Sequence, residues 1–277
     1  VMTLQPGGPA WLFCPADRPD RFGKAAAVAD VVILDLEDGV AAADKDAARA
    51  ALLDTPLDPA RTVVRINAPT TADYRADLET VAQTTYTTVM LPKCESAQQI
   101  SALAPWRVIV LIETPLGAVN VAESVRATNT YGVMWGSEDL FAALGGTANR
   151  RPDGTLRDVA SHVRSATLLA AKAHSRLALD SVYLDIKDLQ GLHEEVEDAV
   201  AVGFDAKVAI HPSQIPVIRA AYAPAADQVD WARRVLAAAR DQRGVFELDG
   251  KMVDMPVLRR AGHILRLSGT SDGAVVP

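Results

Sequence analysis

Short apolar runs recur along this chain, separated by segments with helical spacing, and most of them carry a charged residue within the run or a few positions beyond its end. Val31-Val32-Ile33-Leu34 runs into Asp35-Leu36-Glu37-Asp38-Gly39, and Val108-Ile109-Val110-Leu111-Ile112 into Glu113-Thr114-Pro115. Val133-Met134-Trp135 does the same before Gly136-Ser137-Glu138-Asp139, and Val63-Val64-Arg65-Ile66-Asn67 carries its charge inside the run. A continuous apolar run bounded by Gly or Pro reads as a parallel strand covered on both faces. Parallel strands alternating with helices leave two architectures, a closed barrel or an open doubly wound sheet. The α/β class with a (β/α)₈ TIM barrel is the natural reading. No G-x-G-x-x-G follows the first strand, and polar residues cluster after most strands rather than at one switch point.

The other expected strands are Trp11-Leu12-Phe13, Thr88-Val89-Met90-Leu91, Ser181-Val182-Tyr183-Leu184 as the seventh, and Ala206-Lys207-Val208-Ala209-Ile210 as the eighth. Helices are expected over Asp20 to Ala29, Ala42 to Leu53, Ala72 to Ala82 and Ser96 to Leu103. Leu189, Leu192, Val196, Ala199 and Val200 keep one helical face. Thr147 to Gly154 reads as a polar loop, either a lid or a plain connection. From Ala223 the character changes to a helix over Gln228 to Asp241, a hairpin turning at Asp249-Gly250 and a last helix to Leu267. The expected division is a barrel over residues 1–222 and a helical and hairpin extension over 223–277. That tail is surplus to a barrel and must pack on its own barrel or reach a neighbouring subunit.

Composition narrows the function classes. A net charge of −7 argues against nucleic acid and anionic membranes as partners. No apolar run approaches the ~20 residues that cross a bilayer. The opening Val1-Met2-Thr3-Leu4-Gln5-Pro6 shows no signal peptide. Two cysteines, Cys14 and Cys94, call for no disulfide, so a reducing cytoplasm is expected.

Read from the strand ends, the barrel rim collects Asp17, Arg18, Asp35, Glu37, Asp38, Arg65, Lys93, Glu113, Glu138, Asp139, Asp185 and His211. Glu113 and Asp139 follow two successive strands, an arrangement that suits a hard cation such as Mg²⁺. Each could instead cap the helix that follows it. Arg65 emerges from within a strand, where a charge is expensive unless paired. It is read as gripping a substrate carboxylate through its bidentate fork, a role compatible with a salt bridge to Glu37 or Asp38. Lys93 could be a Schiff-base nucleophile, a phosphate contact or an exposed strand-end lysine. His211, in Ile210-His211-Pro212-Ser213-Gln214, is a ligand, a base or, as the commoner case, a local cap. Arg18, Arg21 and Lys24 could hold phosphates or form a solvated helix face. The absence of a Walker loop, H-E-x-x-H, G-x-S-x-G and paired Cys-x-x-Cys removes P-loop NTPases, zincins, serine hydrolases and zinc fingers.

These motifs together resemble one family. Leu34-Asp35-Leu36-Glu37-Asp38-Gly39-Val40, Arg65-Ile66-Asn67, Leu91-Pro92-Lys93, Ile112-Glu113-Thr114, Gly136-Ser137-Glu138-Asp139-Leu140, Ile210-His211-Pro212-Ser213-Gln214 and Met252-Val253-Asp254-Met255-Pro256 look like the citrate lyase beta-subunit-like proteins of the HpcH/HpaI aldolase/citrate lyase family. The closer likeness is to the free-standing actinobacterial type. The resemblance implies Mg²⁺ on Glu113 and Asp139, and a keto-acid or acyl contact at Arg65. It implies coenzyme A near Arg18, Arg21, Lys24, Lys93 and His211, and an acid/base role for Asp254 supplied by the adjacent subunit of a homotrimer. Arg65, Asp254, Glu37 and Asp38 are the catalytic candidates.

The implied reaction is cleavage or formation of a carbon–carbon bond in a 3-hydroxyacyl-CoA such as citryl-CoA, malyl-CoA or 3-hydroxy-3-methylglutaryl-CoA. Its products are a keto acid and an acyl-CoA. Rival readings are a CoA-independent aldolase (including a Schiff-base enzyme using Lys93), a condensing enzyme that also hydrolyses the thioester, and a non-catalytic acyl-CoA-binding barrel.

Overall fold

The computed structural model describes residues 7–240, 242 and 244–269. The opening six residues, the expected helix end at Asp241 and the last stretch of the extension lie outside the described residues. The chain divides into two compact units, residues 1–218 and 219–277.

The first unit is a closed barrel of eight strands in sequence order, β1 Ala10–Pro15, β2 Val31–Asp35, β3 Thr62–Arg65, β4 Thr88–Leu91, β5 Arg107–Ile112, β6 Thr130–Trp135, β7 Leu177–Asp180 and β8 Ala206–Ala209. Every neighbouring pair is parallel, and β8 closes on β1. The helices between them are α1 Pro19–Val28, α2 Lys45–Asp54, α3 Asp73–Val81, α4 Ala97–Ser101, α5 Pro115–Ser124, α6 Ser137–Leu144, α7 Asp158–Ala173 and α8 Leu189–Val202, with α9 Gln214–Tyr222 after β8. The barrel expectation therefore holds.

Alternation along each strand sorts its side chains. Trp11, Val31, Ile33, Val63, Met90, Ile109, Leu111, Met134, Leu177, Leu179, Ala206 and Val208 form one buried cluster, the filled barrel interior. Continuing that alternation past the apolar residues brings Asp35, Arg65 and Glu113 to the same inner face at the carboxyl ends of β2, β3 and β5. The strands thus aim charge at the mouth because the interior below them is already full of hydrocarbon.

The seventh strand corrects the sequence reading. It is Leu177–Asp180, ahead of the expected Ser181–Leu184, and Leu184 is exposed. Two apolar triplets flank Asp180-Ser181, and β propensity favours the second, with its valine and tyrosine. Pairing decides for the first: Leu177, Ala178 and Leu179 register against Gly132, Val133 and Met134, and Asp180 against Lys207. The Thr147 to Gly154 segment is a connection between α6 and α7, folded back by an Arg150–Leu156 bridge.

The second unit contains α10 Ala226–Ala238, the hairpin of β9 Phe246–Leu248 and β10 Lys251–Val253, and α11 Met255–Leu267. Asp249 and Gly250 both take positive φ, 53° and 73°, as the expected tight hairpin requires. Ala232, Val235, Val253, Ala261, Ile264 and Leu265 form this unit's own small core.

Candidate active site

The mouth of the barrel is organised by β2 and β3. Asp35 and Arg65 end these strands in direct register. Arg65 donates from Nε to Asp35 Oδ1 at 2.6 Å and from Nη2 to Asp35 Oδ2 at 2.5 Å. Its Nη1 lies 3.0 Å from Glu37 Oε2, and the guanidinium stacks over Phe13 at 4.6 Å. Asp35 also accepts from the backbone N–H groups of Glu37 and Gly39. A Cβ at Gly39 would fall 2.3 Å from Asp35 Oδ2, so only glycine lets the loop wrap this carboxylate. The bidentate fork expected to grip a substrate is therefore already engaged within the barrel.

Beneath this loop lies a polar support that the sequence reading did not single out. Lys45, buried at the start of α2, donates to the carbonyls of Leu36 and Glu37 and to Asn67 Oδ1. Asn67 donates to Leu36 O and Asp77, and Asp77 is paired with Arg49. Buried polar groups of this kind hold only when mutually satisfied. The one available signal was spacing: Lys45 and Arg49 lie one helical turn apart on α2, next to the Asp35–Gly39 loop.

Lys93, at φ 50°, follows β4 and reaches into the same mouth. Its Nζ sits 2.5 Å from Glu37, 3.3 Å from Asp38, 3.5 Å from Asp139 and 3.9 Å from Glu113. Its backbone N–H donates to Glu113 Oε1 at 3.0 Å. The Glu37 hydrogen bond and the surrounding carboxylates outweigh burial and hold this ammonium above the usual lysine range. Burial, reinforced by the charge of Glu37, pushes Glu113 up to about 8. Burial likewise raises Glu37. A carboxyl destabilised in this way is stabilised by a cation placed against it.

Neither metal candidate is a helix cap. Thr114 caps α5 by accepting from Gly117 N, and Gly136 precedes α6 with no side-chain cap. Glu113 is free to turn inward, and a Cβ on Gly136 would lie 2.8 Å from its Oε2. Asp139 rises from the first turn of α6. The fit for Mg²⁺ is chemical: all-oxygen, anionic donors, with a lysine ammonium already lodged among them as a resident cation. Among the described residues no cluster of three or more His, Cys, Asp or Glu is set to hold a metal by itself.

Other expected site residues have local partners of their own. His211 ties its Nδ1 to Ser213 Oγ at 2.7 Å in the turn ahead of α9. Asp185 accepts from the backbone of Lys187 and Asp188, and Glu138 accepts from Ser137 and Asn149. Arg18 pairs with Asp20 just before α1, while Arg21 and Lys24 stand exposed one and two turns along that helix. Asp254, in the second unit, caps α11 by accepting from Val257 N at 3.2 Å. The Cys14 and Cys94 thiols are buried, which pushes both up to about 11 and leaves them inert packing groups.

A second ionic network stands behind β7 and β8. Lys207, fully buried, contacts Asp180 at 3.1 Å and Glu195 at 2.6 Å. Asp180 also accepts from Trp135 Nε1 at 2.7 Å and from Arg164. Burial alone would raise Asp180, but Lys207 and Arg164 more than offset it and bring it down to about 2. Glu195 continues to Arg150, which stacks over Tyr183 at 5.3 Å. This network secures the β6 and β7 ends and the loop after α6.

Residues 10–212 match the family model described as HpcH/HpaI aldolase/citrate lyase. The chain is 65% identical over 268 residues to the citrate lyase subunit beta-like protein of Mycobacterium tuberculosis, covering 97% of this chain and 98% of that one. It is 30% identical over 293 residues to human mitochondrial citramalyl-CoA lyase, covering 94% and 85%. The crystal structure of protein CitE from M. tuberculosis in complex with magnesium, acetoacetate and coenzyme A superposes with a TM-score of 0.92 at 65% identity, covering 95% of this chain and 98% of that one.

Proposed function

This chain belongs to the HpcH/HpaI aldolase/citrate lyase family, and we propose that it is a Mg²⁺-dependent lyase that splits or joins a carbon–carbon bond in a 3-hydroxyacyl-CoA. The products of cleavage are a keto acid and an acyl-CoA. One observation carries this reading: Glu113 and Asp139 converge with the buried guanidinium of Arg65 at the mouth of a barrel that superposes on a relative crystallised with magnesium, acetoacetate and coenzyme A.

Glu113 and Asp139 would hold the ion, which when bound supplies Lewis acidity to the substrate alcohol and to the carbonyl that replaces it. Arg65 contributes a fixed positive charge, oriented by Asp35, against the negative charge that builds as the carbon–carbon bond breaks. Glu37, raised by burial, and Asp38 are the nearby carboxyl groups able to exchange protons with the mouth. Asp254, supplied by an adjacent subunit of a homotrimer, would deliver the proton to the acyl carbon and remove it in the condensing direction. Arg18, Arg21 and Lys24 form a cationic approach for the phosphates of coenzyme A, with His211 at the turn after β8. We place the enzyme in the cytoplasm; no helix among the described residues is long and apolar enough to cross a membrane.

A Schiff-base aldolase needs a neutral amine on Lys93, and four carboxylates around its ammonium oppose that. The deciding assay presents a panel of 3-hydroxyacyl-CoA esters with Mg²⁺ and detects keto acid and acyl-CoA by mass spectrometry. Turnover that survives EDTA, or free hydroxy acids as better substrates, would replace this reading with a simple aldolase. Free coenzyme A among the products would reveal thioester hydrolysis.

A further inference from the structure

Lys93 addresses the carboxylate set twice. Its left-handed backbone, costly for a side chain with a Cβ, aims its N–H at Glu113 Oε1, while its Nζ reaches Glu37, Asp38, Asp139 and Glu113 within 3.9 Å. The four acids come from the ends of β2, β5 and β6, so one ammonium holds together loops that would otherwise repel one another. Two of the four are the residues assigned to the metal. A divalent cation seated on Glu113 and Asp139 would stand within a few ångströms of this ammonium, where like-charge repulsion is strong.

We propose that Lys93 is the resident counter-ion of these carboxylates and that Mg²⁺ binds in competition with it, driving its side chain off Glu113 and Asp139. The inference rests on the metal assignment made above. It gives Lys93 two positions with different partners: against the acids without metal, and turned toward the rim with metal. In the second position its charge becomes available to an anionic group of the substrate.

Calorimetric titration with MgCl₂ tests it on the full chain, comparing wild type with Lys93→Met, Lys93→Arg and Lys187→Met. The last removes an equal charge from an exposed loop. Lys93→Met is expected to bind Mg²⁺ about tenfold more tightly or better, given the charge separation involved. The other two should stay within about twofold of wild type. Metal-free Lys93→Met should melt below wild type and gain more on addition of Mg²⁺. In parallel, wild-type protein is labelled with acetic anhydride and read by mass spectrometry; Lys93 should react faster at saturating Mg²⁺ than without it. Unchanged or weaker Mg²⁺ binding by Lys93→Met overturns the proposal, as does labelling of Lys93 that Mg²⁺ leaves unchanged or slows. The labelling arm decides the matter if Lys93→Met does not fold. Wild type that binds no Mg²⁺ removes the metal assignment and this proposal together, whereas wild type that binds while Lys93→Met gains nothing removes the proposal alone.

Discussion

Asp35 and Arg65 are cross-strand partners joined fork to fork by two hydrogen bonds of 2.5–2.6 Å. Because both are nearly excluded from water, each is the other's charge compensation, and the guanidinium is fixed in direction before any substrate arrives. Removing one member of a buried pair typically costs about 3–5 kcal/mol when the other charge is left unpaired. In Asp35→Ala the guanidinium keeps Glu37 at 3.0 Å, so stability is expected to fall by up to about 3 kcal/mol, read as a shift of the urea midpoint at unchanged slope. Arg65→Lys keeps the charge but not the fork, so it should fold and lose most of its kcat. Near-wild-type kcat for Arg65→Lys would reduce Arg65 to a structural residue.

Glu113→Gln and Asp139→Asn separate the metal from the fold. Both groups sit at the mouth rather than in the hydrocarbon interior, and Glu113 pays for burial when ionised. Each variant should keep the far-UV spectrum and melt within a few degrees of metal-free wild type, while Mg²⁺ binding falls below detection by calorimetry. Full activity of EDTA-treated Glu113→Gln would sink the metal-centred mechanism.

The Lys207–Asp180 pair should carry stability and not chemistry. Lys207→Ala leaves Asp180 to Arg164 and Glu195 to Arg150 without the buried ammonium between them, and is expected to cost up to about 3 kcal/mol, with Mg²⁺ affinity of the folded protein unchanged. A pH dependence follows from Asp180. Its folded pKa, about 2, lies below the ordinary 3.8. Its contribution is complete above about pH 4 and is lost as pH falls through 2, on the order of 2 kcal/mol in all. Urea unfolding of wild type between pH 5 and 2 measures that slope, and a flat profile would contradict it.

Asp254 caps α11 with one carboxylate oxygen, and its proposed acid/base role is separable from that cap. Asp254→Asn should bind Mg²⁺ and acetyl-CoA yet turn over poorly. If the residue acts in trans, mixing it with Glu113→Gln after dissociation and reassembly restores activity at about a quarter of the sites in a randomly exchanged ring. No recovery, with subunit exchange demonstrated by mass spectrometry, would place Asp254 in its own subunit's site or outside the chemistry altogether.

Arg21→Ala and Lys24→Ala test the approach for coenzyme A. Each should weaken acetyl-CoA binding and flatten its salt dependence, because an exposed phosphate contact is lost. An unchanged salt slope in the double variant would return both residues to a solvated helix face.

Local chemistry was enough for the sequence to mark buried parallel strands and their polar ends: such strands must be apolar on both faces, and the chain can turn polar only where a strand leaves the core. Hence Asp35, Arg65, Glu113 and Asp139 could be read as rim residues, and the Asp249-Gly250 turn as a hairpin. Partnership could not be read the same way. Tertiary structure chose Leu177–Asp180 over Ser181–Leu184, because strand pairing and the Asp180–Lys207 register outweigh propensity. It also turned Lys93 onto Glu37, 56 residues away in the chain, and set Lys45 under the loop that carries Glu37. Alternation states which face a side chain takes. Which charges meet across the barrel mouth depends on closure of the sheet, which brings distant strand ends within hydrogen-bonding distance and makes each buried charge find its partner there.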